Sequence, residues 1–115
     1  MELGVCWYMV KEVKRLVFRL SYADKILTGK KITTIRLKPI VKEGEIIEIY
    51  VGHARVGRAI VKSVKPKKLS ELSIEDAMRD GFSSINDLKK ELEKIYGRKA
   101  LLSNPTLYII EFSLL

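Results

Sequence analysis

The 115-residue chain contains one cysteine, one histidine, one tryptophan and three prolines. Cys6 has no second thiol to pair with, which excludes an internal disulfide framework and a multi-cysteine metal site. So few prolines, with only seven glycines, leave no stretch resembling a low-complexity linker. The longest unbroken apolar runs, such as Val5 to Val10 and Leu107 to Ile110, fall far short of the ~20 residues that cross a bilayer. No membrane-spanning helix and no membrane partner are expected. The opening Met1-Glu2-Leu3-Gly4-Val5-Cys6-Trp7 carries an acid and no basic leader, so it does not read as a secretory signal, and a cytoplasmic location is expected. His53 falls in a hairpin turn among small and basic residues and reads as an exposed loop residue. No cluster of carboxylates and histidines marks a metal site, and no cofactor is expected.

What is present suits a globular core. Apolar residues make up 47% of the chain and charged residues 31%, and a chain of this length can bury roughly two thirds of its unfolded surface as one domain, residues 1–115. The charge is uneven. Up to and including Lys68 there are 16 basic and 6 acidic residues, and beyond it 6 basic and 8 acidic, so the halves carry +10 and −2 of the total +8. A positive half attracts phosphate backbones, because many weak contacts sum to useful affinity. A lysine-rich solvated surface accounts for the same numbers. The cations cluster at Lys30, Lys31, Arg36 and Lys38 and again at Lys62, Lys65, Lys67 and Lys68.

Periodicity supplies an element order. Leu16, Phe18 and Leu20 alternate with Val17 and Arg19 as in a strand, and Tyr22, Ala23, Ile26 and Leu27 follow at helical spacing before Gly29. From Ile32 to Leu37 a β-branched strand puts Ile32, Thr34 and Arg36 on one face and Thr33, Ile35 and Leu37 on the other. A hairpin joins residues 46–51 to a second strand over about 56–64 through Gly52-His53-Ala54-Arg55. Ser73 with Asp76 caps a short helix with Ala77 and Met78 on its apolar side; Gly81 ends it, with Phe82 folding back. Ser84 with Asp87 opens a second helix whose stripe is Ile85, Leu88, Leu92 and Ile95, closed by Gly97. Residues 106–112 form a strand apolar on both sides, suited to the middle of a sheet. Tyr22, Tyr50 and Tyr108 read as core residues, and Trp7 with Tyr8 as packing or oligomer contacts. Many short strands with short helices favour an α+β fold, a small mixed β-barrel of five to six strands with flanking helices.

Gly29-Lys30-Lys31-Ile32-Thr33-Thr34-Ile35-Arg36 packs three cations and two hydroxyls into eight residues directly after a helix end. Anion or nucleotide binding is one reading of it, and a solvated turn with threonines chosen for β propensity is the other. Asp80 falls in the last turn of its helix, where the macrodipole disfavours an acid unless a cation such as Lys31 or Arg36 faces it.

Ile26-Leu27-Thr28-Gly29-Lys30-Lys31, Thr33-Thr34-Ile35-Arg36, the Gly44-Glu45 turn, Leu72 with Ala77, Asp80-Gly81-Phe82, Leu88, Tyr96 and the terminal Tyr108-Ile109-Ile110-Glu111-Phe112 resemble the ASCH domain, a branch of the PUA-like superfamily, over about residues 14–113. Residues 1–12 lie outside the likeness as an N-terminal extension that would dock on the barrel or on a neighbouring subunit. The resemblance implies a compact β-barrel with an adjacent cleft lined by residues 29–36, and RNA, a nucleoside or a nucleotide as partner. Lys30, Lys31, Thr34, Arg36, Lys38, Lys62, Lys65, Lys67 and Lys68 are then the candidate nucleic-acid contacts. One enzymatic branch of the family, small bacterial amidohydrolases that deacylate N4-acetylcytidine, uses a lysine, a threonine and a glutamate. These positions fall on Lys31, Thr34 and Asp80, the last one methylene shorter, and imply Thr34 as nucleophile, Lys31 as its base and Asp80 as the group that orients the ammonium or shuttles a proton.

Overall fold

The computed structural model describes residues 13–115, so Cys6, Trp7, Tyr8 and the expected docking of residues 1–12 lie outside the described residues. Five strands, β1 (Arg15–Phe18), β2 (Thr33–Arg36), β3 (Ile46–Val51), β4 (Ala54–Lys68) and β5 (Thr106–Leu114), form one sheet in the order β1-β3-β4-β5-β2. Only the β1–β3 pair is parallel. The helices are α1 (Ala23–Leu27), α2 (Ile74–Arg79), α3 (Ile85–Tyr96) and α4 (Arg98–Leu102), with single 3₁₀ turns at Leu20–Tyr22 and Leu69–Glu71. The expected order is reproduced, with α4 in addition. The sheet curls into a half-barrel whose edges are β1 and β2, and Arg36 Nη2 on β2 reaches across the opening to the Val17 carbonyl on β1 at 3.3 Å.

Alternation along the strands sorts side chains between two apolar clusters on opposite faces. Leu16, Phe18, Ile47, Ile49, Val51, Ala59, Val61, Ile110 and Phe112 meet Ile26 of α1 and Val41 inside the half-barrel. On the other face, Ile35 and Leu107 pack with Leu72, Ala77 of α2 and Leu88 and Leu92 of α3. β5 runs between β4 and β2 and supplies both clusters, which is why its sequence is apolar on both sides.

Several local expectations need correction. β4 begins at Ala54 and runs on through Pro66 to Lys68, so Ala54 and Arg55 are strand and only Gly52-His53 turn; His53 is exposed there. Pro66 is tolerated in the strand although it cannot donate a backbone hydrogen bond, and a bulge between Val61 and Ser63 leaves Lys62 outside the β5 register. Met78 is 61% exposed and Ile95 is exposed too, because α2 and α3 bury only Ala77, and Leu88 and Leu92, respectively. Tyr22, Tyr50 and Tyr108 are each half-buried rather than fully core, although Tyr22 packs against the barrel cluster.

Candidate functional site

The site is assembled by the end of α2. Ser73 Oγ accepts from the Asp76 amide and Asp76 Oδ2 accepts from the Ser73 amide, closing the expected reciprocal cap. At the other end the Gly81 amide donates to the Met78 carbonyl and the Phe82 amide to the Ala77 carbonyl, with Gly81 at φ +90°. This is a Schellman ending, and it turns the chain so that Asp80 points into the protein. Two backbone bonds then hold the basic loop, one to each helix: the Lys31 amide donates to the Lys25 carbonyl on α1, and the Ile32 amide to the Arg79 carbonyl on α2, both at 2.9 Å. Lys25 Nζ donates to the Gly81 carbonyl at 2.8 Å from the far side.

Lys31 and Asp80 are thereby brought together in the interior. Lys31 Nζ lies 2.9 Å from Asp80 Oδ1 and also donates to the Asp80 carbonyl at 3.2 Å, and the two residues are 3% and 5% exposed. Thr33 Oγ1 donates to the same Asp80 Oδ1 at 3.0 Å. Lys31 Nζ also sits over the Phe18 and Tyr22 rings, 5.8 and 5.1 Å from their centroids. The expectation that Asp80 needs a cation is met by Lys31. Burial pushes the Lys31 pKa down against the pull of Asp80, and pushes the Asp80 pKa up against Lys31 and Thr33. Both shifts favour the neutral pair over the ion pair relative to water.

Thr34 faces away from Thr33, as alternation requires, and its Oγ1 accepts from Arg36 Nε at 2.9 Å. Thr34 is buried and Arg36 half-buried. Neither hydrogen bond of Lys31 goes to Thr34. Arg36 has no acidic ion-pair partner among the described residues. Burial lowers its pKa, yet a guanidinium stays charged throughout the physiological range.

These groups line one cleft of about 150 Å³ at the open edge of the half-barrel, where β2 passes between the two apolar clusters. Lys31, Thr34, Arg36 and Asp80 meet there with Phe18, Tyr22, Tyr96 and Glu91. The Tyr96 hydroxyl donates to the Ile35 carbonyl, and Glu91 on α3 pairs with Arg19 at 3.1 Å across the mouth. Burial and the Glu91 carboxylate push the Tyr22 phenol well above its ordinary pKa, so it stays protonated. Sequence reading missed Thr33, Tyr22, Arg19, Glu91 and Tyr96. Thr33 carried a signal as a hydroxyl beside the basic loop, which reads equally well as a plain strand former, and Tyr96 carried one only as part of the family resemblance.

The remaining candidates do not line the cleft. Lys30 and Lys38 are exposed on the flanks of β2. Lys62 and Lys65 are exposed on β4, Lys68 is exposed at its end, and Lys67 is bound to Asp76 at 2.6 Å. Lys67 therefore braces the N-terminal cap of α2, which carries Asp80 at its other end.

No family model matches the sequence, and no curated protein sequence matches it. Solved structures do. An ASCH domain from Lactobacillus crispatus superposes with a TM-score of 0.71 at 16% identity, over 82% of this chain and 70% of that one. A protein from Enterococcus faecalis gives 0.68 at 12% identity over 99% of this chain and 88% of that one. An ASCH protein from Zymomonas mobilis gives 0.55 at 17% identity over 86% and 68%. At these identities the likeness is one of fold, and the chain has the α+β fold of the ASCH domain structures on which it superposes.

Proposed function

We propose that the cleft binds one nucleotide unit of RNA or a free nucleoside or nucleotide. The observation that carries this reading is Arg36: it is the one cation lining the cleft that has no carboxylate within ion-pair distance among the described residues, while Lys31 and Arg19 are each paired. A half-buried guanidinium without a counter-charge favours an anionic or strongly accepting ligand group. The cleft volume is below the roughly 300–1,000 Å³ of sites for drug-sized ligands, and suits one ring between aromatic walls. The ASCH likeness supports the same partner class. Titration of cytidine monophosphate into the protein tests it: saturable binding that weakens at least tenfold in Arg36→Met supports the reading, and an unchanged affinity removes it.

A second reading is amide hydrolysis on an N4-acylated cytidine. It is favoured by Lys31, Thr34 and Asp80 lining the same cleft and by burial holding Lys31 below its ordinary basicity. Thr34 Oγ1 would attack the amide carbonyl and form an acyl ester, its proton passing to neutral Lys31 and on to the departing amine; water would then release the acid and regenerate Thr34. Lys31 must turn from Asp80 towards Thr34 for that transfer. Incubation with N4-acetylcytidine and chromatography for cytidine decides it, with turnover expected in the wild type and lost in Thr34→Ala and Lys31→Met.

A further inference from the structure

Strand register exposes a surface on the opposite side of the sheet from the barrel interior. Residues directly opposite one another share a face, and three rows run across β1, β3, β4 and the end of β5: Arg15, Glu48 and Arg58; Val17, Tyr50 and Arg55; and Ile46, Ile60 and Ser113. None of the nine is buried, whereas the intervening Leu16, Ile47, Ile49, Val51 and Ala59 all are. Helices α2 and α3 cover this side of the sheet only at the β2–β5 end, where Ile35 and Leu107 pack, so the three-strand area stays open among the described residues.

Its chemistry is specific. Tyr50 stands on the middle strand in the row nearest the β3–β4 turn, with half-exposed Val17 opposite it on β1 and the Arg15 guanidinium 4.9 Å from its ring centroid; half-exposed Ile46 lies at the other end of the face, beyond the Arg15–Glu48–Arg58 row. Arg55 holds Glu48 at 2.6 Å, which leaves Arg15 and Arg58 without an acidic partner among the described residues. Three guanidinium groups thus face one carboxylate. Val17 belongs to both places: its side chain stands on this face, it lines the cleft, and its carbonyl accepts from Arg36. The open face and the cleft therefore meet along β1.

Resting on the nucleotide reading of the cleft, we infer that this face binds single-stranded nucleic acid that runs out of the cleft over β1, with bases against Tyr50, Val17 and Ile46 and phosphates at Arg15 and Arg58. An aromatic and apolar patch needs unpaired bases to cover it, since a duplex offers no free ring faces. Uncompensated arginines beside that patch match a phosphodiester backbone better than an apolar protein partner. Three strands span roughly 10 Å, room for two or three bases.

The test uses the full chain with fluorescent oligonucleotides of five residues, as RNA and as DNA, beside the mononucleotide. A pentamer is expected to bind at least about tenfold more tightly than the mononucleotide, the worth of one stacked base. Tyr50→Leu, and Arg15→Gln with Arg58→Gln, should bring the pentamer close to the mononucleotide value and leave mononucleotide binding unchanged. Each lost arginine contact should flatten the log–log salt slope by roughly 0.7. RNA and DNA pentamers binding alike would place recognition in base and phosphate; RNA alone binding would add the 2′-hydroxyl. Equal affinity of pentamer and mononucleotide, a pentamer indifferent to the substitutions, or a solution dimer dissociated by Arg58→Glu overturns the inference while the cleft reading stands. Pentamer binding that depends on Tyr50 but ignores Arg36→Met removes the cleft reading instead. All these side chains are at least partly exposed, so a thermal midpoint near wild type is expected for each variant.

Discussion

Lys31 Nζ and Asp80 Oδ1 lie 2.9 Å apart in the interior, although 49 residues separate them in the chain. Desolvating two charges is costly, and removing one strands the other. Lys31→Met is therefore expected to destabilise the fold by about 3–5 kcal/mol. Lys31→Met with Asp80→Asn should cost clearly less than the sum of the two single changes. Urea unfolding of the four proteins at neutral pH measures this, and strict additivity would show that the two groups are not coupled.

The pH dependence of stability has opposing parts. Burial raises the Asp80 pKa, so its folded form holds a proton more tightly and its contribution is fullest in acid and lost as pH rises through the folded value. Asp76 behaves oppositely: burial raises its pKa, but hydrogen bonds from Lys67 and from the Ser73 amide and hydroxyl outweigh this, and its contribution is lost as pH falls through a value below the ordinary carboxylate range. Acidification from pH 7 towards about 3 should thus destabilise Asp80→Asn more steeply than wild type, and Asp76→Asn less steeply. Thermal midpoints across that range provide the check.

Gly81 couples helix geometry to the site. Its φ is +90°, and a Cβ there would lie 3.2 Å from Lys25 Cδ and 3.4 Å from Lys31 Cβ. Gly81→Ala should cost about 1–2 kcal/mol through the backbone conformation alone and shift the Lys25 side chain, whose ammonium braces the Gly81 carbonyl, as well. Loss of nucleotide affinity beyond what Gly97→Ala causes, at a glycine with positive φ and open space around it, would separate the contact from the strain.

Lys67 is expected to act on stability rather than on ligand. Its bond to Asp76 is partly exposed, so Lys67→Ala should cost up to about 1 kcal/mol and leave mononucleotide affinity unchanged. Lys65→Ala, at an exposed residue away from the cleft, should change neither stability nor affinity. Parallel denaturation and titration curves distinguish the two residues.

In the hydrolase reading, turnover rises with pH as Lys31 loses its proton and levels off below the ordinary lysine range, because burial lowers its pKa. Asp80 attraction opposes that lowering, so Asp80→Asn should move the rising limb to lower pH in whatever activity it retains. A pH–rate profile on N4-acetylcytidine reads the shift.

Local signals were strong enough to read the elements and the basic motif from sequence alone. The Ser73–Asp76 and Ser84–Asp87 caps, the Gly81 ending and the two faces of β2 depend on neighbours within a few residues, and each formed as its spacing requires. Only the tertiary structure decided what those elements face. Lys31 shares an eight-residue motif with Thr34, yet its nitrogen bonds to Asp80, because the loop is tied to α2 by the backbone bond from Ile32 to Arg79, which residue spacing does not encode. Thr33 entered the site, Lys67 left the candidate surface for a helix cap, and Tyr50 moved from the expected core to an open face. Those outcomes turn on strand order, on register and on two bulges, at Ile49/Tyr50 and at Val61/Ser63, which place residues far apart in sequence side by side, and a period of two or 3.6 carries no record of which partner will be met.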